Sequence, residues 1–189
     1  MELSHRCQPG SDQGVEGITG DCIVKTTVLG VACLLLCLSA VTAMPAVADE
    51  PTAVITVCSS GGNYQQIQAA ITVAHWGDTI EVCAGTYHEN IVLRAGVTLR
   101  GAGRDVTIID GGRANATVRA EASGLGPNVV MRGFTIRNGR HSDGGGLVVR
   151  NGQPAFEDLI IENNDAAGGR GGGVAVRSGA QVVISNSIV

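Results

Sequence analysis

Two arginines return at the same place in a repeated phrase. Arg150 closes Gly144-Gly145-Gly146-Leu147-Val148-Val149-Arg150, and Arg177 closes Gly171-Gly172-Gly173-Val174-Ala175-Val176-Arg177. Their spacing of roughly 27 residues falls in the range of solenoid repeats, so like charges stack on one face and offer two guanidiniums to an anionic ligand. Other groups carry chemistry less well. Glu157, Asp158 and Glu162 form the densest acidic group, but a solvated face paired with arginine accounts for them better than a calcium site. His141-Ser142-Asp143 has the residue types of a hydrolase triad, yet three adjacent loop residues cannot adopt triad geometry together. The glycine runs are not phosphate cradles, because none leads from a strand into a helix carrying lysine. No catalytic residue, metal or cofactor is assigned on these grounds.

The elements that must position these side chains are short strands. Aromatics make up 3% of the 189 residues and there are 28 glycines, poor material for a globular core but suited to stacked coils with many tight turns. The formal charge of −4 points away from nucleic acid and other polyanions. Residues Ala53 to Cys58, Thr79 to Cys83, Ile91 to Arg94, Val97 to Arg100, Val106 to Ile109 and Val129 to Ile136 read as strands, apolar in alternation and broken by glycine or aspartate. Leu147 to Val149, Phe156 to Ile161, Val174 to Val176 and Val182 to Val189 continue the pattern. Between the first two strands, Ile67, Ala70, Ile71 and Ala74 mark one amphipathic helix, with Asn63 as its N-cap and Gln66 completing a capping box. The expectation is an all-β right-handed parallel β-helix of about four coils with an N-terminal capping helix. In its register Arg132 lies over Glu157, Arg137 over Glu162, and Asn138 over Asn163, the asparagines forming a structural ladder at a turn.

Residues 1–48 read as leader and secretory signal, and 49–189 as the β-helix domain. Lys25, the only lysine, precedes the uncharged run Val28 to Val41, and Ala46-Val47-Ala48 offers a cleavage pattern before Asp49. An uncleaved anchor over Thr26 to Ala48 is the rival reading. The polar residues Met1 to Val24 fit an alternative start at Val24 or a disordered leader. Cleavage leaves Cys58 and Cys83 in the mature chain, an even pair that points to a disulfide in an exported protein, with two free thiols as the alternative.

One stretch carries a resemblance. Ile55-Thr56-Val57, Tyr64 to Ile71, Gly77-Asp78-Thr79-Ile80 and Gly85-Thr86-Tyr87-His88-Glu89-Asn90 lead to Val97-Thr98-Leu99-Arg100-Gly101-Ala102-Gly103 and Thr107-Ile108-Ile109-Asp110-Gly111. This pattern resembles the N-terminal region of pectin-lyase-like right-handed parallel β-helix proteins and covers nearly all of the mature chain. Glu89 belongs to that motif and reads as structural. The stretch is similar to the opening of pectin methylesterases, whose two carboxylates, glutamines and arginine come from later coils and find no match here. The glycine-strand-asparagine repeats also resemble those of polymorphic outer-membrane and adhesin-like proteins. The resemblance implies a helix shielding the first apolar layer, and a family that includes lyases, esterases, hydrolases and non-catalytic surface proteins.

Asn186-Ser187-Ile188-Val189 stops inside a strand pattern, which suggests a fragment of a longer protein or an end covered by self-association. The functional expectation is an exported surface scaffold contacting polysaccharide. The alternative is the N-terminal part of a carbohydrate-active enzyme whose catalytic residues lie beyond Val189.

Overall fold

The computed structural model describes residues 52–169 and 171–189. The leader and the signal or anchor segment, with Cys7, Cys22, Cys33 and Cys37, lie outside the described residues. Twelve strands and one helix follow in order: β1 (Val54–Val57), α1 (Ile67–Val73), β2 (Thr79–Val82), β3 (Gly85–Tyr87), β4 (Ile91–Val92), β5 (Thr98–Gly101) and β6 (Thr107–Asp110). The chain continues through β7 (Val118–Ala120), β8 (Val130–Arg137), β9 (Leu147–Arg150), β10 (Ala155–Glu162), β11 (Val174–Arg177) and β12 (Val183–Ser185).

All pairings are parallel, and the strands lie on three faces of a coil. The first face stacks β1, β2, β5, β8, β10 and β12. The second stacks β3 on β6 and then the later halves of β8 and β10. The third stacks β4, β7, β9 and β11. Each coil therefore hydrogen-bonds to the next at the usual strand spacing of about 4.8 Å. The first face alone holds six strands, so partial coils at β1 and β12 extend the four expected. The strands missed in the sequence are β3, which the glycine-containing turn after Cys83 hides, and β7, where Val118 and Ala120 point inward with too little apolar surface to stand out.

The core is built in columns. Ile80, Leu99, Met131 and Phe156 stack along the first face, and Tyr87, Ile109, Ile136 and Ile161 along the second, all buried. Ile91, Val118 and Leu147 form the third column. Alternation within strands such as β2 and β5 sends one side chain inward and the next to solvent, and stacking repeats that choice along the first face. At the last stacked strand, Val183 and Ile184 are exposed, as are Ile188 and Val189 beyond it.

Glycine is required where coils touch backbone to backbone. A Cβ on Gly146 would sit 2.5 Å from the Gly173 carbonyl oxygen, and one on Gly139 would sit 1.8 Å from the Gly145 oxygen. The triple glycines are thus fixed by close approach of neighbouring coils, as well as by their place in the turns. At the bends, glycine, aspartate and asparagine take the left-handed region. Gly133, Asp158 and Asn186 occupy one position on three successive coils with φ of 77°, 51° and 50°, dividing first face from second. Asn138 and Asn163 do the same after the second face, with φ of 53° and 54°. Asparagine and aspartate tolerate this conformation better than other side chains.

The helix differs from expectation at its start. It begins at Ile67, and Asn63 does not cap it: the Asn63 Oδ1 accepts from the Thr56 N–H at 2.9 Å and from the Thr56 hydroxyl at 2.8 Å. Gln66 occupies the cap position without a side-chain hydrogen bond. The cap comes from the next coil, where the Glu89 carboxylate accepts from the Ile67 N–H at 2.8 Å and the Gln68 N–H at 2.9 Å. A charged acceptor at a helix start satisfies two orphan donors and suits the helix dipole. Gln68 Oε1 in turn accepts from the Val92 N–H at 2.7 Å, tying α1 to β4. Ile67, Ala70 and Ile71 are buried against the first coil.

Candidate functional site

On the third face, strand pairing sets Arg177 directly over Arg150. The loop between β8 and β9 then delivers Asp143 between them. Arg177 Nη2 lies 2.9 Å from one Asp143 oxygen, and Arg150 Nη2 donates to the other. Arg150 also reaches Glu121 at 3.4 Å, and Arg119 reaches the second Glu121 oxygen at 3.9 Å. The hydrogen bond from Arg150 and the charges of both arginines hold the Asp143 carboxyl below the usual aspartate range, against a smaller opposing effect of desolvation. The column expected to await an anion already carries carboxylates of its own. Arg119 Nε is buried there without a hydrogen-bond partner.

His141, Ser142 and Asp143 do not form a triad. The Asp143 carboxylate faces the arginines, while its backbone N–H donates to His141 Nδ1 at 3.1 Å.

The first face carries a second column. Thr56, Glu81, Arg100, Arg132, Glu157 and Ser185 occupy one register position on six successive strands. Arg100 lies 3.7 Å from Glu81, with both side chains about half exposed (45% and 49%). Arg132 stacks directly on Arg100 and is exposed, and no ion pair joins it to Glu157 on its other side. Beside Arg100 a cavity of about 290 Å³ is lined by Thr56, Glu81, Val82, Cys83, Gly101 and Ala102. Cys58 and Cys83, which follow the paired residues Val57 and Val82, are joined in a disulfide with Cα atoms 5.0 Å apart. This crosslink ties the first coil to the second at the edge of that cavity.

Between these faces, Arg137 turns away from Glu162, its register neighbour. It bonds Asp110 at 3.1 Å on the preceding coil, and Asn138 Nδ2 donates to the same carboxylate at 2.9 Å. Burial pushes the Asp110 carboxyl up, but hydrogen bonds from Asn138, the Gly112 N–H and Arg137, with the Arg137 charge, hold it below its ordinary value. Asp110 is buried, so it needs that charge more than the exposed Glu162 does. Asn138 and Asn163 follow these register partners, and the Asn138 amide spends its hydrogen bond on Asp110.

Two further asparagines bridge coils through backbone groups. Asn164 Nδ2 donates to the Ile136 carbonyl at 3.0 Å and its Oδ1 accepts from the Gly139 N–H at 2.8 Å. Asn90 Nδ2 lies within 3.3 Å of the carbonyls of Gly111, Asn115 and Ala116. Sequence reasoning missed both; the tandem Asn163-Asn164 was the available signal. Asp158, from the densest acidic group, pairs with Arg104 at 3.4 Å. Among the described residues no three metal-ligating side chains come together. Trp76, 66% exposed, covers Gly96, where a Cβ would approach its ring to 2.4 Å.

No protein-family description matches the chain, and no curated protein matches it. Solved structures do. A pectin methylesterase in complex with a hexasaccharide aligns with TM-score 0.54 at 17% identity, over 70% of this chain and 48% of that one. Pectin methylesterase from carrot aligns with TM-score 0.48 at 19% identity, over 69% and 50%. The chain has the pectin-lyase-like parallel β-helix fold. It spans about half the length of each matched protein. At this identity the pectin-lyase-like β-helix shares architecture with them, and no site residue carries over. No helix among the described residues is long and apolar enough to cross a membrane.

Proposed function

We propose that this protein is an exported β-helix scaffold that contacts polysaccharide through the outer faces of its coils, without catalysis by the described residues. The observation that carries the reading is the placement of one outward polar side chain per coil, in register along the axis on the first face. Such a column presents evenly spaced hydrogen-bonding groups to an extended polymer. The Cys58–Cys83 disulfide supports an oxidising, exported setting. One matched protein is described in complex with a hexasaccharide, which lends the carbohydrate reading support from architecture alone. Association of copies through the exposed edge beyond β12 belongs to the same proposal.

A second reading is favoured by one fact: the chain spans about half of the enzymes whose fold it shares. On that reading these coils are the N-terminal part of a carbohydrate-active enzyme, and the reacting groups come from further coils. The test is calorimetric titration of the secreted protein with neutral and acidic polysaccharides, run beside ester-release and lyase assays. Saturable binding without turnover supports the scaffold; turnover supports the enzyme; neither binding nor turnover sinks both.

A further inference from the structure

We infer that the Arg100–Arg132 pair on the first face is a binding site for an acidic sugar, a single uronate carried between neutral residues; the inference rests on the polysaccharide reading above and locates it. Parallel pairing places the two arginines on adjacent coils, side by side at about 4.8 Å. Like charges directly opposite one another on a sheet are mutually destabilising. On the third face the same problem is solved internally, because Asp143 bonds Arg150 with one oxygen and Arg177 with the other. On the first face nothing comparable is present. Glu81 approaches Arg100 from one side at 3.7 Å with both groups about half in water, and Arg132 forms no ion pair with Glu157. A carboxylate from outside is the group that completes this arrangement, since each guanidinium presents a planar fork of donors that matches it.

The rest of the column selects what that carboxylate is attached to. Read along the axis, the first face runs Thr56, Glu81, Arg100, Arg132, Glu157, Ser185. A polymer with an anion on every unit would set its next charges against Glu81 and Glu157. A sugar chain with one uronate between neutral units instead offers hydroxyl donors to those two carboxylates. The cavity of about 290 Å³ beside Arg100 gives one neighbouring ring a seat, on Val82, Gly101 and Ala102, with the Thr56 hydroxyl and Glu81 at its wall.

The experiment is isothermal titration of the secreted protein with three probes: xylotetraose, xylotetraose bearing one glucuronic acid branch, and hexagalacturonate. The branched acid should bind at least about tenfold more tightly than the neutral oligosaccharide, and about 0.5 M salt should remove most of the difference. Arg100→Ala with Arg132→Ala should abolish the preference, while Arg177→Ala should leave it intact. Glu81→Gln, which frees Arg100 from its partner, should tighten acid binding about two- to fivefold. That increase also serves if the double variant loses its β-sheet spectrum, because unchanged affinity in Glu81→Gln overturns the site. Equal binding of neutral and acidic probes overturns this inference and leaves the polysaccharide reading standing. Hexagalacturonate binding more tightly than the single uronate overturns the isolated-charge selection. No binding of any probe overturns both.

Discussion

The molecule holds two stacks of arginines with opposite fates. Arg150 and Arg177 stand in register on the third face and share the Asp143 carboxylate, with Glu121 behind them. Arg100 and Arg132 stand in register on the first face with only Glu81 at one end. Strand pairing creates both stacks by the same means. What separates them is the turn that follows the preceding strand. The loop after β8 is long enough to fold an acid back over the third face, whereas the first-face strands are flanked by short bends at Gly101 and Gly133, whose backbones touch. A repeat aligns like charges automatically; whether they become structure or a site depends on the loops.

The strongest way to break this contrast is to remove the crosslink beside the first stack. Cys58→Ser with Cys83→Ser opens a disulfide between residues 25 apart, which should cost about 3 kcal/mol in denaturant unfolding. Acid-sugar binding at Arg100 should weaken with it, since Cys83 lines the adjacent cavity. An unchanged unfolding midpoint would show that the coils are held by their ladders alone.

The contrast can next be inverted. Asp143→Ala leaves Arg150 and Arg177 as exposed to an incoming anion as Arg100 and Arg132 are. In a protein already carrying Arg100→Ala and Arg132→Ala, this change should restore uronate binding by about tenfold over background, now on the third face. It should also lower the melting temperature. Failure of both effects would mean that the Asp143 bridge contributes nothing.

Acid sharpens the same difference. Asp143 is held below its ordinary range by Arg150 and Arg177, and Asp78 by backbone hydrogen bonds from His75 and then Ala53. A depressed carboxyl binds fewer protons in the folded state, so its contribution is present above the unfolded value near 3.9 and is lost as pH falls through the folded one. Thermal stability should therefore drop below about pH 4. Asp143→Asn should make the drop shallower, and an identical acid limb in that variant would contradict the assignment.

The smallest effect belongs to the exposed pair. Glu81→Gln should change stability by no more than about 0.2–1 kcal/mol, because Glu81 and Arg100 meet half in water. A loss of several kcal/mol would make this pair structural and remove the argument for an open site.

Much of the fold was legible because its information is local. Alternation in Thr79–Val82 or Val174–Arg177, the returning triple glycine and the helical spacing of Ile67, Ala70 and Ile71 all lie within a few residues of one another. Register was legible for the same reason: Met131-Arg132-Gly133 repeats Leu99-Arg100-Gly101, and the strands pair accordingly. The helix cap was not, because Glu89 lies 22 residues beyond the Ile67 N–H it accepts from. Nor were the partners of Arg137 and Arg150: Arg137 chooses Asp110 over Glu162, its register neighbours on the two adjoining coils, and Arg150 takes Asp143 from the loop before its own strand as well as Glu121.

The amino-acid sequence by itself determined that this chain winds into stacked parallel coils, since strand period, turn residues and repeat spacing act over one coil at most. Only the tertiary structure decided which charges are satisfied. That outcome depends on where loops of unequal length return a carboxylate across neighbouring coils, a distance set by winding and not by position along the chain.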